Sequence, residues 1–151
     1  VSRTSRLAAA EVGLFHLLEG RAAIVGNPLE GVPLSYGWPG DELAAEHVWI
    51  GEEATSEQTW EITGSGSQAK TETASLEVWF WHTVPGADYP TARDRILEMV
   101  GELEIALRDD WKLQETVFDA TLTRIRKAAA PAENARGLFV RADVEFKAWL
   151  S

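Results

Sequence analysis

The segment GLFVRADVEFKAWLS, Gly137 to Ser151, alternates without a break. Leu138, Val140, Ala142, Val144, Phe146, Ala148 and Leu150 fall on one side, and Phe139, Arg141, Asp143, Glu145, Lys147 and Trp149 on the other. A side-chain period of two belongs to a β-strand with one buried face. A strand of this length needs neighbours of comparable length and a cover over its apolar side. The segment SLEVWFWHT, Ser75 to Thr83, repeats the pattern with Leu76, Val78 and Phe80. It also places Trp79 and Trp81 on the face that a small antiparallel sheet normally leaves in water.

The rest of the chain supplies the cover. Leu7, Ala10, Leu14 and Leu18 recur at helical spacing, with Val12 and Phe15 beside them, predicting a helix from about Ser5 to Glu19. Thr4 or Ser5 would cap its start and Gly20 would stop it. A second helix lies within PGADYPTARDRILEMVGELEIALRDD, where Ile96, Val100, Leu103 and Leu107 form a stripe widened by Met99 and Ala106. Pro90 suits its first turn and Asp88 its positive end. Arg93, Glu98, Glu102 and Glu104 read as its outward side.

Further strands are predicted at Val32 to Tyr36, at EHVWIG (Glu46 to Gly51), and in the two arms EQTWEIT and TETASLEVWFWHT of a hairpin. Its glycine-rich tip holds Gly64, Ser65, Gly66, Ser67 and Gln68. VFDATLTRIR precedes the final strand. At 151 residues the chain reads as a single domain, 1–151. The expected class is α+β: a mainly antiparallel twisted sheet of about five strands with two helices on one face. Two helices cannot also cover the second face. Trp49, Trp79, Trp81, Phe139 and Trp149 are therefore expected to lack cover within the chain and to serve as a subunit or partner interface. The competing reading is a curved sheet that buries them internally.

Charge narrows the function. The net charge is −10, and no Lys or Arg occurs between Arg21 and Lys70. That interval holds Asp41, Glu42, Glu46, Glu52, Glu53 and Glu57, a composition unsuited to gripping a nucleic-acid backbone. There is no cysteine, which excludes disulfides and thiolate metal sites. No run of 18 apolar residues suggests a membrane span. The N-terminus superficially resembles a signal peptide, but Glu11 and His16 interrupt it and the pattern is helical. The histidines, His16, His47 and His82, show no metal-ligand spacing. His47 and His82 could meet across a sheet near Glu46 or Glu77 as a metal or acid–base pair. Ser35 and Ser75 sit in no nucleophile elbow. Arg93 and Arg95 are read as partners of Glu98 and Glu102 before an anion site. No catalytic, metal or cofactor site is expected.

The order of elements and several local phrases resemble the tail-terminator (tail-completion) proteins of long-tailed, siphovirus-type bacteriophages. The resemblance spans almost the whole chain. It is carried by the first helix ending in LLEG, the strand EHVWIG and the hairpin arm ETASLEVWFWHTVPG, then by ARDRILEMVGELEIALRDDWKL and ARGLFVRADVEFKAWL. It implies a non-enzymatic α+β protein that forms a homo-oligomeric ring, typically a hexamer, at the tail–neck junction of a virion after assembly in the host cytoplasm. Such a ring sits on the tail tube protein, ends tube polymerisation, and meets the head–tail connector or stopper. DNA passes through its channel. On this reading the acids named above are channel candidates and the Gly64–Gln68 tip docks on the tube. A stopper or adaptor, or a small ligand-binding domain or enzyme, is the alternative.

Overall fold

The computed structural model describes residues 4–62, 68–85, 88–132 and 135–150. Its elements follow in the order α1 (Leu7–Ala22), β1 (Leu34–Tyr36), β2 (Glu46–Ile62), β3 (Gln68–Pro85), α2 (Tyr89–Asp109), β4 (Asp119–Ala132) and β5 (Ala135–Leu150). A short 3-10 turn, Gly40–Glu42, separates β1 from β2. The strands form one sheet in the order β1-β2-β3-β5-β4. β1 runs parallel to β2, and the other pairings are antiparallel. The protein is α+β, with both helices packed against the sheet.

The alternation of β5 is realised in full. Leu138, Val140, Ala142, Val144, Phe146 and Ala148 are buried beside Leu76, Val78 and Phe80 of β3. Ile96, Met99, Val100 and Leu103 of α2 and Ala10, Leu14 and Leu18 of α1 close the same core. Burying one such side chain contributes about 1.5–3 kcal/mol, so this layer dominates the apolar contribution to folding. EHVWIG and EQTWEIT are two halves of one strand, β2. A register shift between Ile50 and Ala54 joins them, with Gly51 at the bend.

The helix ends follow local chemistry. The Asp88 carboxylate accepts the Thr91 N–H at 2.9 Å, and Pro90 lies in the first turn, so α2 starts where its cap is. The Ser5 hydroxyl accepts the Leu7 N–H at 3.0 Å at the start of α1. Gly20 does not stop that helix, which continues to Ala22. Gly13 has a different duty. A Cβ there would lie 2.2 Å from the Leu113 carbonyl oxygen, so α1 approaches the turn after α2 too closely for any side chain. In that turn Leu113, Gln114 and Glu115 all have positive φ. The Asp110 carboxylate stabilises it by accepting the Lys112 and Gln114 N–H groups.

Three carboxylates lie among the packed elements. Glu102, expected on the outward side of α2, is instead buried and accepts from Arg21 at 2.7 Å and Asn27 at 2.9 Å. Burial alone would raise its pKa, but the Arg21 and Asn27 hydrogen bonds outweigh burial and hold it below the ordinary carboxylate value. Arg95 hydrogen-bonds Glu46, its Nη2 lying 2.9 Å from Glu46 Oε1, and this bond holds Glu46 low as well. Glu72 is fully buried and accepts from the Ser5 hydroxyl, the Arg6 N–H and the Ser56 hydroxyl.

Gly13→Ala should therefore destabilise the protein by about 1–3 kcal/mol or more, because backbone must move. Gly20→Ala, with nothing within 4 Å of its new methyl group, should stabilise it by about 0.5–1 kcal/mol. Urea denaturation of the two variants distinguishes the roles. Glu102→Gln should cost about 1–3 kcal/mol near neutral pH. Because the folded pKa lies below the unfolded one, the contribution of the carboxylate is complete above about pH 4.3 and is lost as pH falls through the lower folded value. The stability gap between wild type and Glu102→Gln should thus shrink in denaturation curves taken below about pH 4.

Candidate functional site

The helices leave one face of the sheet to be covered by other means. β1 is followed by Gly37, in the left-handed region at φ 72°, and the loop then carries Trp38 across that face. The Trp38 ring meets Trp49 edge-on, with centroids 5.2 Å apart. Trp49 and Trp79, direct partners across β2 and β3, stack at 6.0 Å with 3° between their planes. Phe139 of β5 lies 4.4 Å from Trp81 and also borders Trp38, Trp49 and Trp79. Trp49 and Trp81 are consequently only 5% and 8% exposed. The expectation that these two lack cover within the chain is corrected: Trp38 and Phe139 provide it. The outer members of the cluster do reach solvent. Trp38 is 53% exposed, and Trp79 and Phe139 are half-buried. Trp38, Trp79 and Phe139, with Gly51, Glu52 and Glu53, line an open cleft of about 410 Å³.

Trp149 does not belong to this cluster. It lies ten positions along β5 from Phe139, roughly 33 Å at about 3.3 Å per residue. There it pairs with Phe118 at a centroid distance of 5.5 Å, and it is 53% exposed. A polar row separates the two aromatic patches. Arg141 lies 3.5 Å from Glu77 and 3.2 Å from Asp143, and the Trp79 indole N–H donates to Glu77 at 3.2 Å.

The acidic candidates divide. Asp41 and Glu42 are exposed on the 3-10 turn, Glu52 and Glu53 at the β2 bend, and Glu57 along the outer half of β2. Glu46 lies on the helix side, held by Arg95 and 3.1 Å from His82 Nδ1. It is structural, not free to line a channel. Gly64, Ser65, Gly66 and Ser67 fall outside the described residues, and the backbone of Gln68 opens β3.

His47 and His82 sit on opposite faces of the sheet, since Glu46 pairs with His82 and His47 with Trp81. The metal or acid–base pair considered from sequence is not formed. His47 Nε2 lies 3.1 Å from the Ser35 hydroxyl, and burial pushes its pKa down, favouring the neutral ring. Among the described residues no group of three His, Asp or Glu side chains is arranged to hold a metal. Among the same residues no helix is long and apolar enough to cross a membrane.

No protein-family model matches the chain, and no curated protein matches it. A chain from the solved structure "Virion of native gene transfer agent (GTA) particle" is similar at a TM-score of 0.44 and 9% identity, over 91% of this chain and 93% of that one.

Sequence reasoning missed Trp38 as the cover of Trp49. The available signal was a tryptophan between Gly37 and Pro39 in a turn-rich loop, a position where a large ring has no strand or helix of its own to pack on. It also missed Glu46–Arg95, because ion pairs across 49 positions leave no local pattern.

Trp49→Ala and Trp81→Ala should each cost about 3–5 kcal/mol in urea denaturation, as expected for emptied core positions. Trp149→Ala should cost less than about 1.5 kcal/mol, the scale of one aromatic pair.

Proposed function

We propose that this protein is a structural, non-enzymatic component of a long-tailed phage-type virion, acting as the tail terminator. In this reading copies close into a ring, a hexamer by the family resemblance, on the last layer of the tail tube. The ring ends tube growth and presents its other surface to the head–tail connector or stopper, and DNA crosses its channel in passage only. The observation that carries the reading is the distribution of aromatics on the face without helices. Trp38, Trp79 and Phe139 at one end and Trp149 with Phe118 at the other pack on their neighbours yet still present ring surface to solvent, which an isolated protomer leaves uncovered. Two separate aromatic patches suit a subunit held between unlike partners, and a ring of identical subunits also brings two different surfaces of each copy together. The sequence resemblance, which spans nearly the whole chain, supports the specific role.

The remaining acidic candidates are all exposed; Asp41, Glu42 and Glu52 suit a surface that DNA passes without adhering, whereas Glu53 and Glu57 lie along the open edge of β2. Trp79, Phe139 and Trp149 are assigned to subunit or partner contacts, and the Gly64–Gln68 tip to the tube.

Electron microscopy of particles assembled without this protein tests the role. Overlong, headless tails are expected. Filled heads that lose their DNA would instead identify a stopper or adaptor. Joined tails of normal length would overturn the assignment to the neck.

A further inference from the structure

The sheet has two long open edges. On the outer side of β2, β1 pairs only with Val48, Trp49 and Ile50. From Gly51 to Ile62 no described strand lies beside it. β4 ends the strand order at the other side of the sheet and has no described outer partner. Residues 52–60 of β2 and 123–128 of β4 are exposed throughout. Unpaired edges of this length are templates for another strand.

The two edges are complementary in charge. β2 carries Glu52, Glu53 and Glu57 in an interval without any Lys or Arg, whereas β4 carries Arg124 and Arg126. Among the described residues these five side chains enter no ion pair, although the neighbouring Arg141 and Glu77 do. Glu57 pairs with Thr73, Arg124 with Asp143 and Arg126 with Arg141, so all three sit on the face without helices. Strand direction agrees. β2 and β5 run one way, β3 and β4 the other. Two copies set side by side in the same orientation thus bring β4 of one against β2 of the next, antiparallel, with matching faces continuous.

We infer that the open outer half of β2 in one copy pairs antiparallel with β4 of the next copy, Glu57 meeting Arg126, so that the partner at this surface is a second copy of this chain. The inference rests on the ring reading and supplies its contact. Symmetric pairing of two β2 edges would set glutamates against glutamates, and pairing of two β4 edges arginines against arginines. Like charges directly opposite each other are destabilising. Only the unlike pairing satisfies both edges, and a contact between unlike surfaces generates a closed ring when its rotation closes.

The test uses the intact chain, whose lack of cysteine allows clean cross-linking. The register that sets Glu57 opposite Arg126 also sets Thr55 opposite Ala128. Directly opposed Cβ atoms lie about 4.5–5.5 Å apart, close to disulfide geometry. Thr55→Cys protein mixed with Ala128→Cys protein and oxidised should give the mixed disulfide dimer in preference to either homodimer. By sedimentation velocity, Arg124→Glu/Arg126→Glu and Glu53→Lys/Glu57→Lys should each raise the concentration needed for assembly at least tenfold. The fourfold variant, with the charges exchanged, should recover assembly. Circular dichroism of each variant checks that the exposed substitutions leave the fold intact. A wild type that forms rings, together with variants that assemble unchanged and no mixed disulfide, would overturn the edge contact and leave the ring reading standing. A wild type that remains monomeric both in solution and on tube ends would overturn the two together.

Discussion

The strands are longer than anything the chain has to lay over them, and most of the architecture answers that mismatch. β2 and β3 contain 17 and 18 residues, β5 16. At about 3.3 Å per residue these reach roughly 50–60 Å. The helices contain 16 and 21 residues, about 24 and 32 Å at 1.5 Å per residue. The helical layer therefore shelters only part of one face. Past it, the segment Thr4–Arg6 is drawn over the outer half of the hairpin by Glu72 and by a Gln58 hydrogen bond to the Thr4 carbonyl. On the opposite face a single loop covers the inner end through Trp38. The outer parts of both edges are left to solvent or to another chain.

The three carboxylates packed between elements, Glu72 and Glu102 buried and Glu46 partly so, fit the same constraint. Each joins elements that apolar packing alone would leave free to slide. Glu102 ties the end of α1 and the following loop to α2, Glu46 ties β2 to α2, and Glu72 ties the start of α1 to the hairpin. A buried charge is costly unless its hydrogen-bonding capacity is met, so the correct docking of each pair of elements is favoured over neighbouring arrangements that would leave a carboxylate bare. Gly13 acts in the same sense from the steric side: its missing Cβ lets the Leu113 carbonyl into a position no other residue would tolerate.

Much of this was legible in the sequence, and the misses share a cause. The period-two pattern of β5 and the apolar stripe of α2 depend on local spacing and are legible in the sequence. The sequence also places Asp88 near the positive end of α2, although its role as the cap emerges only in the structure. Gly20 misled because intrinsic helix cost is only about 1 kcal/mol and packing of α1 overrides it. The two halves of β2 were separated because a bulge at Gly51 interrupts the alternation without ending the strand. Trp49 and Trp81 were assigned to the surface because the count of covers included only helices. A loop tryptophan that shields Trp49, and a phenylalanine two strands away from Trp49 that shields Trp81, are tertiary events, and the same holds for Glu46, whose partner Arg95 lies on α2.

The arrangement on the uncovered face limits how copies can meet. Its aromatic residues are split between two ends, around Phe139 and around Trp149, and the stretch between them is polar: Arg141 with Glu77 and Asp143, then Ser75 and Glu145, then Thr73 and Lys147. Laying a second sheet flat on this face would desolvate that charged middle, including the Arg141, Glu77 and Asp143 charges that already face one another. Stacking face to face is thus disfavoured, while contacts at the two aromatic ends leave the middle wet. Extension through the edges makes no such demand, because edge strands gain backbone hydrogen bonds and retain solvent on the polar face. The physical bias of the surface is therefore toward lateral growth of the sheet, with the end patches free for unlike neighbours above and below.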